Sequence, residues 1–552
     1  MVVSVEPDPL RNRPAPATRR KIELFVRTAA FTPKIQLWRK FRIEHRPGFD
    51  LDAERASLAP LTSRPGWPAG YQSLEATMDW GVPDDVARGL ITFNSETINI
   101  GMPPNWESVT ATRLWLQCLH FLEWAWALEQ LDDRDRARES FRSFWQSWRN
   151  VHHEVSGVEW EPNVASLRVW VLCSIFRNLI EGSDLEDEVV SDIRLHAIYV
   201  GRNLEVHLGG NHFLKNIKAL IGTGIFLHDD ALIQRGRSLL DIEIVRQVFP
   251  DGGHIERSTS YHAQVMSDLV DLLALMEAAG QPDLEQLRDV VSRMRHWLSV
   301  MTPPEDDTAL FNDSHPVIPE RKLALGLYEI PAPSLEVFRD SGYVVARPDD
   351  RVVVMMNVGQ PGLRINPGHG HADALSFLLW IDGRPVIIDP GTYDYAFSPR
   401  RQYERSTAAH NTIEIDGASQ SEVWASFRIA RMARVSIDSV DSDAGSVRVT
   451  ASHDGYRRLR GKPHHRRTWV LTKDTLRITD EITGRGHHTL RSRLRLNDAA
   501  ASAITVQSGE HATTTWRGQH APDFGALVDD TIVEVLLDAT SLPTTLEWSL
   551  SW

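Results

Sequence analysis

From about residue 70 to 305 the apolar residues recur at spacings of three and four, the period of a helix with one buried face. ATRLWLQCLHFLEWAWALEQL, ASLRVWVLCSIFRNLIEG, NHFLKNIKALIGTGIFL and YHAQVMSDLVDLLALMEAAG all carry it. Asp132-Asp133, Gly182-Ser183, Gly209-Gly210 and Gly280-Gln281-Pro282 interrupt the pattern as breakers. Successive helices with short connections predict paired helical hairpins, a bundle or a toroid. After Pro303-Pro304 the pattern changes to short β-branched runs bounded by Gly, Asp or Asn, among them RVVVMMNV, ALSFLLWI, PVIID, RRTWVLT and TLRITDEI. Helices first and strands afterwards predict two segregated regions of an α+β protein, the second antiparallel, with a boundary near 305–340.

Composition narrows the partners more than the fold. The 552 residues are 42% hydrophobic and 24% charged, as expected of a globular chain with room for two or three domains. A formal net charge of −14 disfavours nucleic acid, and an acidic substrate has to be held by local basic groups. Cys118 and Cys173 lie in apolar helical stretches and are expected to be buried free thiols. No run of 18 apolar residues occurs, so no membrane span is expected, and oligomeric state has no legible signal. The opening MVVSVEPDPLRNRPAPATRR has Pro and charge where a leader needs an apolar core, which predicts a cytoplasmic location unless a segment precedes it. Residues 19–46 hold nine Lys or Arg against Glu23 and Glu44, interleaved with Phe25, Trp38 and Phe41. That segment reads as a helix packed on the main body, with a membrane-surface or docking element as the alternative.

Four segments gather polar residues at element edges. Gly209-Gly210-Asn211-His212 opens a helix, where free N–H groups favour an anion, although Asn is also a good N-cap. Asp251-Gly-Gly-His254-Ile-Glu256-Arg257-Ser-Thr-Ser-Tyr261-His262 is a glycine turn leading into a helix, with Tyr261 in its opening turns. Asn366-Pro-Gly-His369-Gly-His371-Ala-Asp373 precedes an apolar strand, and its two His project to one side of an extended chain. Arg405-Ser-Thr-Ala-Ala-His410-Asn411 stands at the mouth of another strand. Imidazole serves as a base or as a zinc ligand. His410 could join His371 and Asp389 around a metal held by nitrogen and oxygen; spacing alone leaves metal and no metal equally open.

In this order GNHFLKN, DGGHIERSTSYH, GHGHADALSFLLWIDGRPVIIDPGTYDY and RSTAAHNTIEIDG resemble the heparinase II/III family of polysaccharide lyases and its alginate-lyase-like relatives, over roughly residues 200–430. The resemblance implies an N-terminal extension at 1–69, an incomplete (α/α) toroid at 70–320 and a large antiparallel β-sandwich domain at 335–552 that contributes the His-rich loops. It also implies β-elimination at a uronic acid within an acidic polysaccharide. Such a site neutralises the sugar carboxylate, removes the C5 proton and protonates the leaving oxygen. By motif position Asn211 takes the carboxylate, Tyr261 is the acid (or acid and base together), His369 is the alternative base and His410 assists. His212, His254, Glu256, Arg257, Arg405 and Asn366 are candidate substrate contacts. Some members carry zinc, which the pattern would place on His371, Asp389 and His410 as a structural ion, with no cofactor needed for the chemistry. Lys215, Lys218, Arg364, Arg400 and Arg401 are candidates for flanking anionic groups.

Two other readings compete. A glycoside hydrolase would need a carboxylate pair, for which Glu256, Asp251 and Asp313 are available. A non-catalytic polysaccharide-binding or assembly protein could use some of the 18 Trp residues as stacking platforms, although Trp115, Trp124, Trp126 and Trp170 fall in helical stripes expected to be core.

Overall fold

A computed structural model gives the fold and describes residues 18–31, 48–93, 96–107, 111–305, 307–362, 367–443 and 445–552. Arg364, Asn366 and the basic stretch at 32–47 lie outside the described residues. Two compact units emerge. A helical unit comprises 35–247 and 264–291, and a β-rich unit comprises 1–34, 248–263 and 292–552. The Asp251–His262 loop therefore belongs with the β-rich unit, where the linear division at 320 had placed it with the helices.

In the helical unit the three-four periodicity becomes buried stripes. Helix Arg134–Val151 is opened by Asp133, whose side chain accepts the Arg136 N–H, and it buries Ala137, Phe141, Phe144, Trp145 and Trp148. Helix Pro162–Ile175 buries nearly every side chain and continues as a π-turn over Phe176–Ile180. This stretch alone among the described helices is long and apolar enough to cross a membrane, and 83% of its apolar window is buried inside the fold. Helices Glu186–Arg202, Gly210–Leu227 and Asp230–Gln247 follow, each packed on its sequence neighbour, as in an incomplete α/α toroid. A small hairpin of β1 (Leu90–Phe93) and β2 (Glu96–Asn99) completes the unit. Trp115, Trp124, Trp126 and Trp170 are core residues, and Cys118 and Cys173 are free thiols.

The β-rich unit is a sandwich of two antiparallel sheets. The first contains β3 (Leu335–Phe338), β4 (Tyr343–Ala346), β5 (Val352–Asn357), β6 (Phe377–Ile381), β7 (Arg384–Ile387), β15 (His487–Asn497), β18 (Val528–Ser541) and β17 (Thr513–His520) in that spatial order. β8 (Ile413–Ile415) pairs with β15 beside them. The second runs β11 (Val435–Ser442), β12 (Val447–His453), β13 (His464–Leu471), β14 (Thr475–Thr483), β19 (Thr544–Ser551) and β16 (Thr505–Gln507). Strands β13 and β14 alternate between buried and half-exposed positions, the period-2 signature of a sheet with one face on the core. Strands β4, β5 and β6 are buried at every position, which is why they read as unbroken apolar runs. Val354, Leu379, Trp469, Ile478 and Trp548 meet in the shared core.

One polar group interrupts that core. Asp480 on β14 takes both Arg467 on β13 (2.6 and 2.8 Å) and His465 (2.7 Å), all fully buried. The Arg467 guanidinium then donates to the carbonyls of Leu375 and Asn411, at 2.8 and 2.6 Å. Asn411 closes the Arg405–Asn411 segment and Leu375 lies two residues beyond Asp373, so the core charge pair pins the chain at the end of both polar segments.

The helix Thr18–Phe31 packs on a short hairpin, β9 (Val423–Trp424) and β10 (Arg428–Ile429). Arg27 pairs with Glu422 at 2.7 Å, and the Trp424 indole N–H donates to Thr28 Oγ1 at 2.9 Å. Ile22, Phe25 and Val26 face outward.

Candidate active site

Ser258 caps the helix that carries Tyr261, its hydroxyl accepting the Tyr261 N–H at 3.3 Å and donating to the Asp313 carbonyl at 2.9 Å. The Asp313 N–H in turn donates to the His369 carbonyl at 3.1 Å, and the His371 N–H to Asn312 Oδ1 at 2.9 Å. Three chain segments are thereby laced together. Gly370 is required between the two His: a Cβ there would lie 1.6 Å from the Pro361 carbonyl oxygen.

Four donor groups converge on the Asp313 carboxylate. His369 Nδ1 lies 3.0 Å from Oδ2 and His371 Nε2 lies 2.8 Å from Oδ1. The Arg401 guanidinium grips both oxygens as a fork at 2.5 and 2.7 Å, and Thr392 Oγ1 adds a longer contact of 3.4 Å. Burial alone would raise this carboxyl, but Arg401 and the two imidazoles hold it well below the usual carboxylate range. Asp313 is thus permanently ionised and fully engaged, the opposite of what a general-acid carboxyl of a hydrolase pair requires. Asp251, another member of that pair, spends its oxygens on the N–H groups of Gly253, Asp340 and Ser341.

The Tyr261 ring lies over His369, centroids 3.9 Å apart and planes inclined by 31°. Its hydroxyl is 2.9 Å from the Tyr395 hydroxyl. Burial holds the Tyr261 hydroxyl well above the usual tyrosine range, so it carries its proton at neutral pH; the Tyr395 hydrogen bond opposes that and Asp313 adds to it. With His369 Nδ1 engaged by Asp313, Nε2 is the ring nitrogen left to the site. Phe427, at the tip of the β9–β10 hairpin and 42% exposed, stands 6.0 Å from His369 and 5.1 Å from Tyr395, centroid to centroid. Tyr395 and Phe427 carry no signal in the sequence beyond being aromatic.

His371, Asp389 and His410 offer one ligand atom each within 4.8 Å of one another, all buried. His371 Nδ1 and His410 Nε2 are buried with no hydrogen-bond partner among the described residues, while the second nitrogen of each ring rests on a carboxylate, Asp313 or Asp389. Imidazoles with one nitrogen oriented by a carboxylate and the other bare, beside a carboxylate, fit a divalent ion such as zinc.

A family model described as the heparinase II/III N-terminus matches residues 125–325, and one described as heparinase II/III-like, C-terminal, matches 330–535. The chain belongs to the heparinase II/III-like family of polysaccharide lyases. Among curated relatives, the FtsZ-localized protein C of Caulobacter vibrioides is 23% identical over 445 residues, 78% of this chain and 74% of that protein. A heparin-sulfate lyase of Bacteroides stercoris is 21% identical over 367 residues, 59% of this chain and 52% of the lyase, so the chain spans about half that lyase's length. Among solved structures, a heparinase III superposes with a TM-score of 0.72 at 15% identity, covering 91% of this chain and 88% of that one. The heparan sulfate lyase HepC of Pedobacter heparinus gives 0.60 at 16% identity, with 91% and 87% covered.

Several residues stand elsewhere than the heparinase II/III-like pattern suggested. Arg405 is buried and, among the described residues, donates to the carbonyls of Gly370, Ala425 and Arg428, with burial pulling its guanidinium down to about 9; it braces the His-rich loop. Arg257 likewise ties the carbonyls of Gln360 and Asp340, at 2.6 and 3.0 Å. Lys215 and Lys218 are locked onto Asp268 and Asp271 at 2.8–3.0 Å inside the helical unit. Arg401 serves Asp313, and Arg400 lies beside Glu404 and Gln519. His410 is fully buried on Asp389, within the group that could hold a metal ion. His254 is buried 3.8 Å from Glu256. In the helical unit Asn211 is not the N-cap: Gly209 is, with φ 63°, and Asn211 lies buried in the first turn while His212 Nδ1 is 3.2 Å from Glu205.

Proposed function

We propose that this lyase cleaves a uronic-acid-containing polysaccharide by β-elimination, with His369 as base and Tyr261 as acid. The supporting observation is the Tyr261–His369 stack, in which one partner keeps a proton and the other has Nε2 unclaimed by Asp313. His369 Nε2 takes the C5 proton as the electron pair forms the C4–C5 double bond. The C4–O bond breaks, and Tyr261 donates its proton to the leaving oxygen. Negative charge builds on the C5 carboxylate on the way, and the family pattern gives Asn211 the role of stabilising it. Zinc on His371, Asp389 and His410 would stiffen the loop that carries His369; no step passes through it. The names of the lyase relatives favour a sulfated or unsulfated glycosaminoglycan-like substrate.

Ultraviolet absorbance during incubation with heparan sulfate, hyaluronan, chondroitin, alginate, polyglucuronate and bacterial exopolysaccharides tests this. A rise from the double bond conjugated with the carboxylate is expected on at least one substrate. New reducing ends without absorbance would overturn elimination in favour of hydrolysis. A second reading is a non-catalytic polysaccharide-binding or assembly protein; the match to the FtsZ-localized relative covers more of both chains than the match to the heparin-sulfate lyase of Bacteroides stercoris does. Binding of a polysaccharide with neither product would select it.

A further inference from the structure

We propose that Asp313 is the shared positioning residue of the site, a single carboxylate that orients the base His369 and the metal-facing imidazole of His371 together; its catalytic half rests on the elimination reading. Each carboxylate oxygen receives one imidazole, Oδ2 from His369 Nδ1 and Oδ1 from His371 Nε2. The Arg401 fork fixes the plane of the carboxylate, and Arg401 is itself held by the Ser426 carbonyl at 2.9 and 3.2 Å. A plane fixed this way presents an acceptor to both rings at once, so both must point N–H toward Asp313. His369 then has Nε2 unclaimed by Asp313 and available for a proton, and His371 keeps Nδ1, buried without a hydrogen-bond partner among the described residues, for a metal. Ring orientation in the two functions is set by one group.

An amide cannot do this. In Asp313→Asn one oxygen becomes an NH2 that donates, and the imidazole facing it must present a lone pair, moving its own proton to the working nitrogen. The remaining oxygen is contested by Arg401 and the other imidazole. Both functions should therefore fall together, although neither His has been altered.

The test measures zinc affinity by chelator competition, the visible spectrum of the cobalt(II)-loaded protein, and kcat and KM on the substrate found above. Asp313→Asn is expected to weaken zinc roughly 10- to 100-fold, as loss of a ligand-orienting carboxylate does elsewhere. The cobalt bands should shift, and kcat should drop by about 10²-fold with KM nearly unchanged. Arg401→Lys keeps the charge beside Asp313 but loses the fork; it is expected to move both readouts in the same direction by less, and it carries the test if Asp313→Asn does not fold. Movement of only one readout in either variant would overturn the shared role. A wild-type chain that binds neither zinc nor cobalt would overturn the metal half. A shifted cobalt spectrum in a protein inactive on every polysaccharide would sink the elimination reading while leaving the orientation of His371 by Asp313 standing.

Discussion

The Tyr261 phenol and the His369 imidazole lie nearly face to face, 3.9 Å between centroids, and they come from segments more than a hundred residues apart in sequence. Such a stack fixes the distance between a proton donor and a proton acceptor before substrate arrives.

Removal of the Tyr261 hydroxyl alone should therefore be enough to stop turnover. Tyr261→Phe keeps the ring and its contact with His369, so KM and the melting temperature should stay near the wild-type values. The initial rate of absorbance increase is expected to fall by about 10³-fold, within the usual range for losing a general acid. A rate within tenfold of wild type would remove Tyr261 from the chemistry.

Lys218 tests the division between buried struts and substrate contacts. Its ammonium lies between Asp268 and Asp271, 3.0 Å from each, and its charge is strengthened by both despite burial. Lys218→Met leaves buried carboxylates short of a partner and should cost about 3–5 kcal/mol. Urea titration would show it, while the KM of the remaining folded enzyme should be unchanged. A raised KM with full stability would return Lys218 to the list of anion contacts.

Glu404 gives a pH dependence with a definite sign. Burial raises its carboxyl to about 7, above the ordinary 4.5. Between these values the folded chain holds a proton that the unfolded chain has released, so this group's stabilisation is present below pH 4.5 and is lost as pH rises through 7. The difference corresponds to about 3 kcal/mol. Melting temperatures of wild type and Glu404→Gln should diverge in favour of the variant as pH goes from 5 to 8. Parallel curves would show that Glu404 titrates normally.

Phe427 presents an exposed ring beside His369 on a hairpin clamped from both sides, its Ser426 carbonyl by Arg401 and its Trp424 by Thr28. A sugar ring stacking there would make Phe427→Ala raise KM about tenfold, a stacking contribution of about 1.4 kcal/mol, with kcat little changed. Progress curves at several substrate concentrations separate the two parameters.

The segregation of helices from strands was legible because period 3.6 and period 2 differ over any ten residues, and Phe141, Trp145 and Trp148 fall where the period requires. The His369-Gly370-His371 loop was legible too, since glycine between two His has few other uses. Asp313 was only half read: as a carboxylate in Phe-Asn-Asp-Ser it could be counted as a catalytic acid, but its donors come from residues 369, 371 and 401 and no local pattern predicts them. Arg405 and Lys218 were misread for the converse reason: a cation in sequence shows its charge and hides its partners. The place of the Asp251–His262 loop in the β-rich unit was invisible because its neighbours, such as Ser341 and Met294, lie far along the chain.

Arg467 has a consequence for anyone wishing to move this chemistry to another scaffold. It sits on a strand of the second sheet, yet it holds the backbone of both His-bearing segments by their carbonyls. A graft taken as the two loops, or even as the first sheet with its loops, would bring the imidazoles and leave behind the clamp that keeps them in register. The smallest piece that keeps Tyr261, both imidazoles and the clamp together runs from Ser258 to Asp480, so recombination between homologues should succeed at crossovers outside that interval and fail within it.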